Sequence, residues 1–128
     1  MNPYASPQAY RESSVLTASP EQLVVMLYDG AGRFLRQAEA SFSEGAVEHA
    51  HDRLNRGEAI IDELLATLDM DQGTISERLQ AIYVYCKRCL IEARLERDVA
   101  KVRLVVRLMA ELREAWAQVA SGGVATPA

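Results

Sequence analysis

The chain of 128 residues has few of the side chains from which metal, disulfide and nucleophilic sites are built. It contains two cysteines and two histidines. Cys86 and Cys89 are too few for a disulfide framework, and a zinc site would need a second pair of ligands. His49 and His51 point roughly 200° apart on a helix, because successive residues turn by about 100°. No glycine-rich phosphate loop occurs, so the sequence predicts no catalytic residue, no metal ligand and no cofactor.

Long apolar runs and basic stretches are also missing. No apolar run approaches the roughly 18 residues that a membrane-spanning helix needs. The opening MNPYASPQAY has neither the basic nor the apolar region of a secretory signal. The net charge is −4, which argues against nonspecific binding to nucleic-acid phosphates. We therefore expect a cytoplasmic protein with no membrane insertion and no nucleic-acid partner.

Residues that break helices are scarce beyond the start of the chain. There are 7 glycines and 4 prolines, and three of the prolines lie in the first 20 residues. Apolar residues recur at three- and four-residue spacings over 19–42, 46–68, 74–95 and 98–119. Two capping boxes are predicted, at Ser19-Pro20-Glu21-Gln22 and at Thr74-Ile75-Ser76-Glu77. A further helix start is predicted near Asp98. Four helices with short connections pack most simply as an antiparallel four-helix bundle, an all-α fold.

The predicted organisation is a mobile N-terminal arm over 1–18, the bundle over 19–120 and a flexible tail over 121–128. Cys86 and Cys89 fall on the core stripe of the third helix, where we interpret them as small buried hydrophobic residues. A redox-active or metal-binding role for this pair is the alternative. Asp29 is interpreted as a polar surface contact. The residues predicted to form the core are Tyr28, Phe34, Leu64, Tyr83, Leu108, Leu112 and Trp116.

Several apolar residues lie outside the main helical stripes. Val84, Ile91 and Leu95 line up with one another roughly 120° from the centre of the core stripe of the third helix. Since a bundle helix needs only one stripe, the surplus predicts exposed grooves that bind a partner, most naturally an amphipathic helix. The arm could cover these grooves, and a weak homodimer could bury them instead. The predicted partner-binding residues are Tyr10, Val15, Leu16, Ile61, Leu65, Val84, Ile91, Leu95, Val99 and Val106.

Four sequence elements resemble the flagellin-specific flagellar export chaperone family of bacteria. The resemblance covers about Tyr10 to Val119, and it departs from the family at Ala93-Arg94, where Ala-Asn is common. That departure leaves open which flagellin, or flagellin-like client, is bound. The elements are Tyr10 with Thr17-Ala18-Ser19-Pro20, Leu27-Tyr28-Asp29-Gly30, Ile82-Tyr83-Val84-Tyr85 and Leu112-Arg113-Glu114-Ala115-Trp116.

The resemblance implies a cytoplasmic four-helix chaperone and not an enzyme. Such a protein would bind the disordered C-terminal segment of flagellin in apolar grooves and prevent its premature polymerisation. It would then deliver flagellin to the export gate of the flagellar type III apparatus, as a monomer or weak homodimer. The alternative is an adaptor or regulator-binding helical module in the same flagellar system.

Overall fold

A computed structural model describes residues 17–122 of the chain. Within that range the structure is helical and has no β-strand, as predicted. None of these helices is both long enough and apolar enough to cross a membrane. The predicted arm and tail lie largely outside the described residues. The elements are α1 (Pro20–Ser43), α2 (Val47–Ala66), a 3₁₀ turn (Met70–Gln72), α3 (Thr74–Glu96) and α4 (Val99–Ala120).

The four helices form a closed ring in which each packs against two neighbours. Helix α1 packs most closely, against α2 on one side and α4 on the other. Helix α3 completes the ring between α2 and α4, with fewer close backbone approaches to either. Because consecutive helices are joined by short turns, they run antiparallel, and α1 and α3 stand at opposite corners.

The helix ends confirm two of the three predicted start signals. Ser19 accepts a hydrogen bond from the backbone N–H of Gln22 at 3.1 Å, and Gln22 Oε1 accepts one from the Ser19 N–H at 2.8 Å. Asp98 caps α4 by accepting from the N–H of Ala100 at 3.1 Å. The start of α1 is therefore a complete capping box, and the start of α4 is a side-chain cap.

The predicted capping box at Thr74 is wrong. Gly73 occupies the N-cap position with φ +71°, a conformation that glycine adopts readily and other residues do not. Thr74 is therefore already inside α3, and no side chain caps this helix. The hydroxyl of Ser76 donates instead to the backbone carbonyl of Asp69, which ties the 3₁₀ turn to the first turn of α3.

The core agrees with the prediction except at Phe34. Tyr28, Leu64 and Tyr83 are buried, while Leu108, Leu112 and Trp116 are partly buried and pack against the core. Phe34 lies partly exposed between α1 and α2, with the guanidinium carbons of Arg53 and Arg56 at 5.8 and 5.9 Å from its ring centre. Its ring is covered by cations and not by core side chains. The buried hydrophobic residues are Tyr28, Ala31, Leu35, Ala38, Ala50, Leu54, Ile61, Leu64, Leu79, Tyr83, Cys86, Cys89, Leu90, Ala93, Val102, Val105 and Met109.

The close approach of α1 to α2 depends on Gly57. A Cβ atom added there would lie 2.7 Å from Cδ2 of Leu35 and 3.7 Å from the carbonyl oxygen of Ala31. Leu35 is fully buried, so its side chain cannot shift into solvent to relieve this contact. A Cβ at Gly32, by contrast, would meet only the flexible end of the Arg36 side chain, at 3.2 Å. The two glycines therefore predict opposite responses to the same substitution.

We expect Gly57→Ala to destabilise the protein and Gly32→Ala to stabilise it. Alanine gains about 1 kcal/mol of helix propensity at either position. Overpacking against Leu35 costs about 1–3 kcal/mol, so the Gly57 variant should lose about 1 kcal/mol net. Urea unfolding followed by circular dichroism measures both. Equal gains in stability for the two variants would contradict the proposed contact between α1 and α2.

Candidate partner-binding site

The outer face of α3 carries a continuous line of side chains at heptad spacing. We call Ala81, Val84, Arg88, Ile91 and Leu95 the α3 outer line. Val84 is 46% exposed, Ile91 44% and Leu95 78%. Apolar side chains of this size, exposed in one row, are typical of an interaction surface.

The α3 outer line borders a shallow groove between α2 and α3. The groove has a volume of about 440 Å³. Leu65 of α2 forms its apolar part together with Val84 and Ile91 of α3. Lys87, Arg88 and Glu92 form the rest of its wall. Three of the predicted partner-binding residues thus meet at one place, and Leu65 is partly exposed there. We call this site the α2/α3 groove.

The charged residues at the rim of the α2/α3 groove are mostly neutralised by their neighbours. The Lys87 ammonium pairs with the carboxylate of Asp62 on α2. The Glu92 carboxylate pairs with Lys101 of α4 at 2.7 Å. These contacts raise the pKa of both lysines, in each case chiefly through hydrogen bonds to the carboxylates. The rim is therefore polar, while the floor presents apolar surface to a partner.

The prediction for Ile61 is wrong, because the side chain is fully buried in the core. Helix α2 packs against both α1 and α3, and Ile61 lies in the buried part of its wide apolar stripe. Val106 is partly buried and lines a polar cleft between α1 and α4 with Asp29 and Arg36, so it does not extend the α2/α3 groove.

The remaining predicted residues lie outside the α2/α3 groove or outside the described range. Val99 is partly buried at the first position of α4 and does not line the α2/α3 groove. Tyr10, Val15 and Leu16 lie outside the residues that the structure describes. Their role in binding therefore stays a prediction from the sequence.

The direction in which the α3 outer line points follows from Tyr83. Its hydroxyl is hydrogen-bonded to that of Tyr28 across the buried centre of the bundle, with ring centres 6.3 Å apart. Burial raises the pKa of both phenols, and the Trp116 side chain opposes this at Tyr28 through a hydrogen bond. The residues of the α3 outer line lie roughly 80–160° around the helix from Tyr83, so the line as a whole is turned away from this buried pair.

Cys86 and Cys89 are free and buried. Burial, followed by the neighbouring Cys89, raises the pKa of the Cys86 thiol to about 12. A thiolate is the reactive form of cysteine, so Cys86 is held in its unreactive state at neutral pH. Within residues 17–122 no group of three or more histidine, cysteine or carboxylate side chains is arranged to hold a metal ion. The pair therefore behaves as the small core hydrophobes of the sequence interpretation.

The structure contains a second apolar depression that the sequence analysis missed. It has a volume of about 550 Å³ and lies at the end of the bundle where α1 begins and α4 ends. Val24, Leu68, Ile75 and Trp116 contribute to its wall, and Ile75 is largely exposed. The available signal was Ile75 itself, an isoleucine in the first turn of the third predicted helix.

Asp29 makes the surface contact expected of it. Its carboxylate accepts a hydrogen bond from Nε of Arg113 at 3.0 Å, between α1 and α4. Both side chains are substantially exposed, so the pair contributes little to stability. The contact nevertheless joins the second and fourth elements of the family resemblance in space.

Comparison with known proteins supports the same resemblance. The profile of the family described as Flagellar protein FliS matches residues 2–123. The chain is 33% identical over 117 residues to the flagellar secretion chaperone FliS of Bacillus subtilis, covering 91% of this chain and 85% of the relative. It is 37% identical over 110 residues to the protein of that name in Salmonella typhimurium, covering 84% and 82%. The Campylobacter jejuni relative is 30% identical over 112 residues, covering 87% and 88%.

Ile91→Glu and Ile61→Glu should separate surface from core. We expect Ile91→Glu to change the free energy of unfolding by no more than about 0.5 kcal/mol, as exposed substitutions do. Ile61→Glu places an unpaired carboxylate in the core and should cost about 3 kcal/mol or more. Thermal and urea unfolding measure both. A large loss of stability in the Ile91 variant would show that this residue belongs to the core.

The raised pKa of Cys86 predicts a loss of stability in alkali. An unfolded thiol ionises at about pH 8.5. Because the native thiol has a pKa of about 12, the unfolded state releases its proton first and is favoured as pH rises. Between about pH 8.5 and 10 this should remove about 2 kcal/mol. We expect Cys86→Ala to be less stable than the wild type at neutral pH, but its free energy of unfolding should fall less steeply as pH rises. Urea unfolding over this pH range measures both slopes. Equal slopes for the two proteins would contradict a raised pKa of the Cys86 thiol.

Proposed function

The chain belongs to the flagellar protein FliS family of export chaperones, and from this we propose that its client is the disordered C-terminal segment of flagellin. Acting in the cytoplasm, it would hold that segment and so prevent premature polymerisation. It would then deliver flagellin to the gate of the flagellar type III export apparatus.

The observation that supports this function best is the exposed row of large apolar side chains on α3. Val84, Ile91 and Leu95 lie on one face of a helix whose opposite face already fills the core. Burying such side chains against a client is favourable by roughly 25 cal/mol for each Å² of apolar surface removed from water. A surface that serves no purpose inside the bundle is thus suited to a second polypeptide.

The spacing of the α3 outer line favours a helical client. Side chains at intervals of three and four residues face one direction along a helix, and a second helix packs along such a line. A disordered segment that folds on binding can cover a large surface while losing ordering entropy. That loss keeps the affinity finite, which suits a chaperone that must release its client at the export gate.

We assign the main client contacts to Leu65, Val84, Ile91 and Leu95. The first three meet in the α2/α3 groove, and Leu95 extends the same face toward the end of α3. Val99 would contribute only at the edge. The proposal retains Tyr10, Val15 and Leu16 as arm residues that contact the client or cover the groove when it is empty.

Titration calorimetry with the C-terminal segment of flagellin from the same bacterium tests this function. We expect saturable binding, a negative heat-capacity change and a gain of helix by circular dichroism, because apolar surface is buried as the segment folds. Val84→Glu and Ile91→Glu should each weaken binding by roughly tenfold or more. Arg33→Glu, an exposed change on α1 at the opposite corner of the bundle, is the matched control and should bind normally.

Two further results would redirect the proposal. Absence of binding at tens of micromolar by a folded protein would contradict the flagellin assignment and favour an adaptor role. A stable dimer in light scattering that is lost in Ile91→Glu would show that a second copy covers this face. In contrast, a variant with both Cys86 and Cys89 replaced by alanine should keep client binding, which a redox mechanism would not allow.

A further inference from the structure

The α3 outer line has one charged member, and it lies at the centre. Arg88 follows Ala81 by seven residues and precedes Leu95 by seven. At 1.5 Å per residue the line spans about 21 Å, so the cation lies about 10 Å from either end. A helix packed along the whole line would therefore cross Arg88 at the middle of its contact.

Arg88 is shared by the depressions on both sides of the line. It lines the α2/α3 groove with Leu65 and Ile91, and on the other side it lines a cleft with Ala81 and Tyr85. An occupant of either depression would thus contact its side chain. Arg88 is exposed in the free protein, so its charge is solvated until a partner covers it.

The cations around Arg88 have acidic partners, and Arg88 does not. Lys87 pairs with Asp62, Arg94 with Glu58 at 2.9 Å, and Lys101 with Glu92. Across residues 17–122, no carboxylate lies within ion-pair distance of the Arg88 guanidinium. Covering it with a purely apolar helix would bury an unpaired charge, which is strongly unfavourable.

We propose that the client helix on α3 carries an aspartate or glutamate in the middle of its aliphatic stripe, and that this carboxylate pairs with Arg88 and sets the register of binding. The proposal rests on the function proposed above and specifies the chemistry of the bound segment. A planar guanidinium matches a carboxylate with two parallel hydrogen bonds. A single polar pair within an apolar seam fixes register, because shifting the helix by one heptad would leave both charges unpaired.

The same geometry disfavours a second copy of this chain as the occupant. Full antiparallel overlap of two α3 outer lines about a two-fold axis would place each Arg88 against its own copy, since the residue lies at the midpoint. Two guanidinium groups in a covered interface repel each other. The centre of the line thus selects an acidic partner over self-association.

Calorimetry with the C-terminal flagellin segment of the same bacterium tests the role of Arg88. We expect Arg88→Glu to weaken binding by roughly tenfold or more, and Arg88→Met, which keeps an unbranched apolar stem, to weaken it less. Arg33→Glu makes the same charge change on α1 and should have no effect. Added salt should weaken wild-type binding more than it weakens Arg88→Met, because the ion pair is absent from the variant. Circular dichroism confirms that each variant is folded.

A charge exchange identifies the partner residue. Each acidic residue of the flagellin segment is replaced by lysine in turn and titrated against Arg88→Glu. Restoration of affinity by one such replacement, and not by the others, supports both the pair and the register. If Arg88→Glu binds the native segment like the wild type, the inference is overturned, while normal weakening by Ile91→Glu would leave the proposed function standing. If the wild-type protein binds no segment, both proposals fail.

Discussion

The hydrogen bond between the hydroxyls of Tyr28 and Tyr83 determines which way α3 faces, and the candidate site depends on that direction. It joins the two helices at opposite corners of the bundle, through side chains that are almost fully buried. Buried hydroxyls need partners, so rotating α3 would leave the phenol of Tyr83 unsatisfied at a substantial cost. With Tyr83 directed inward, Val84 and the rest of the α3 outer line are directed outward. An internal polar contact thereby specifies an external apolar surface.

The bundle distributes its packing unevenly, and this distribution matches the proposed role. Helix α1 approaches its neighbours closely, at Gly57 without space for one additional carbon. Helix α3 is held less closely, and its outer face retains apolar side chains that no neighbour covers. The closely packed α1 can maintain the fold while a client helix displaces water from the exposed apolar face of α3. Ion pairs such as Lys87 with Asp62 keep the rim of the α2/α3 groove polar, which limits self-association of the exposed apolar face.

The four-helix bundle and the exposed residues of α3 could be predicted because both follow from the spacing of apolar residues within each helix. Ser19 and Asp98 indicated helix starts because N-caps form local hydrogen bonds. Val84 and Ile91 could be predicted as exposed because they lie roughly 120° around the helix from the centre of its core stripe. Ile61 could not be placed by the same reasoning, because a helical angle does not tell how many neighbours cover a wide stripe. Phe34 was misassigned because the cations that cover it, Arg53 and Arg56, come from another helix. The start of α3 was predicted one residue too late, because Thr74 is a typical N-cap residue and the N-cap is in fact Gly73, which has a positive φ.

The most direct test of the account is chemical-shift mapping of the isotopically labelled protein with the unlabelled C-terminal segment of flagellin. Methyl signals of Leu65, Val84, Ile91 and Leu95 should shift together on addition of the segment, with the guanidinium signal of Arg88. Signals from the core methyls of Leu35 and Leu54 should change little, because the bundle keeps its internal packing. Shifts confined to the outer face of α1, with the α3 outer line unaffected, would contradict the claim that α3 receives the client.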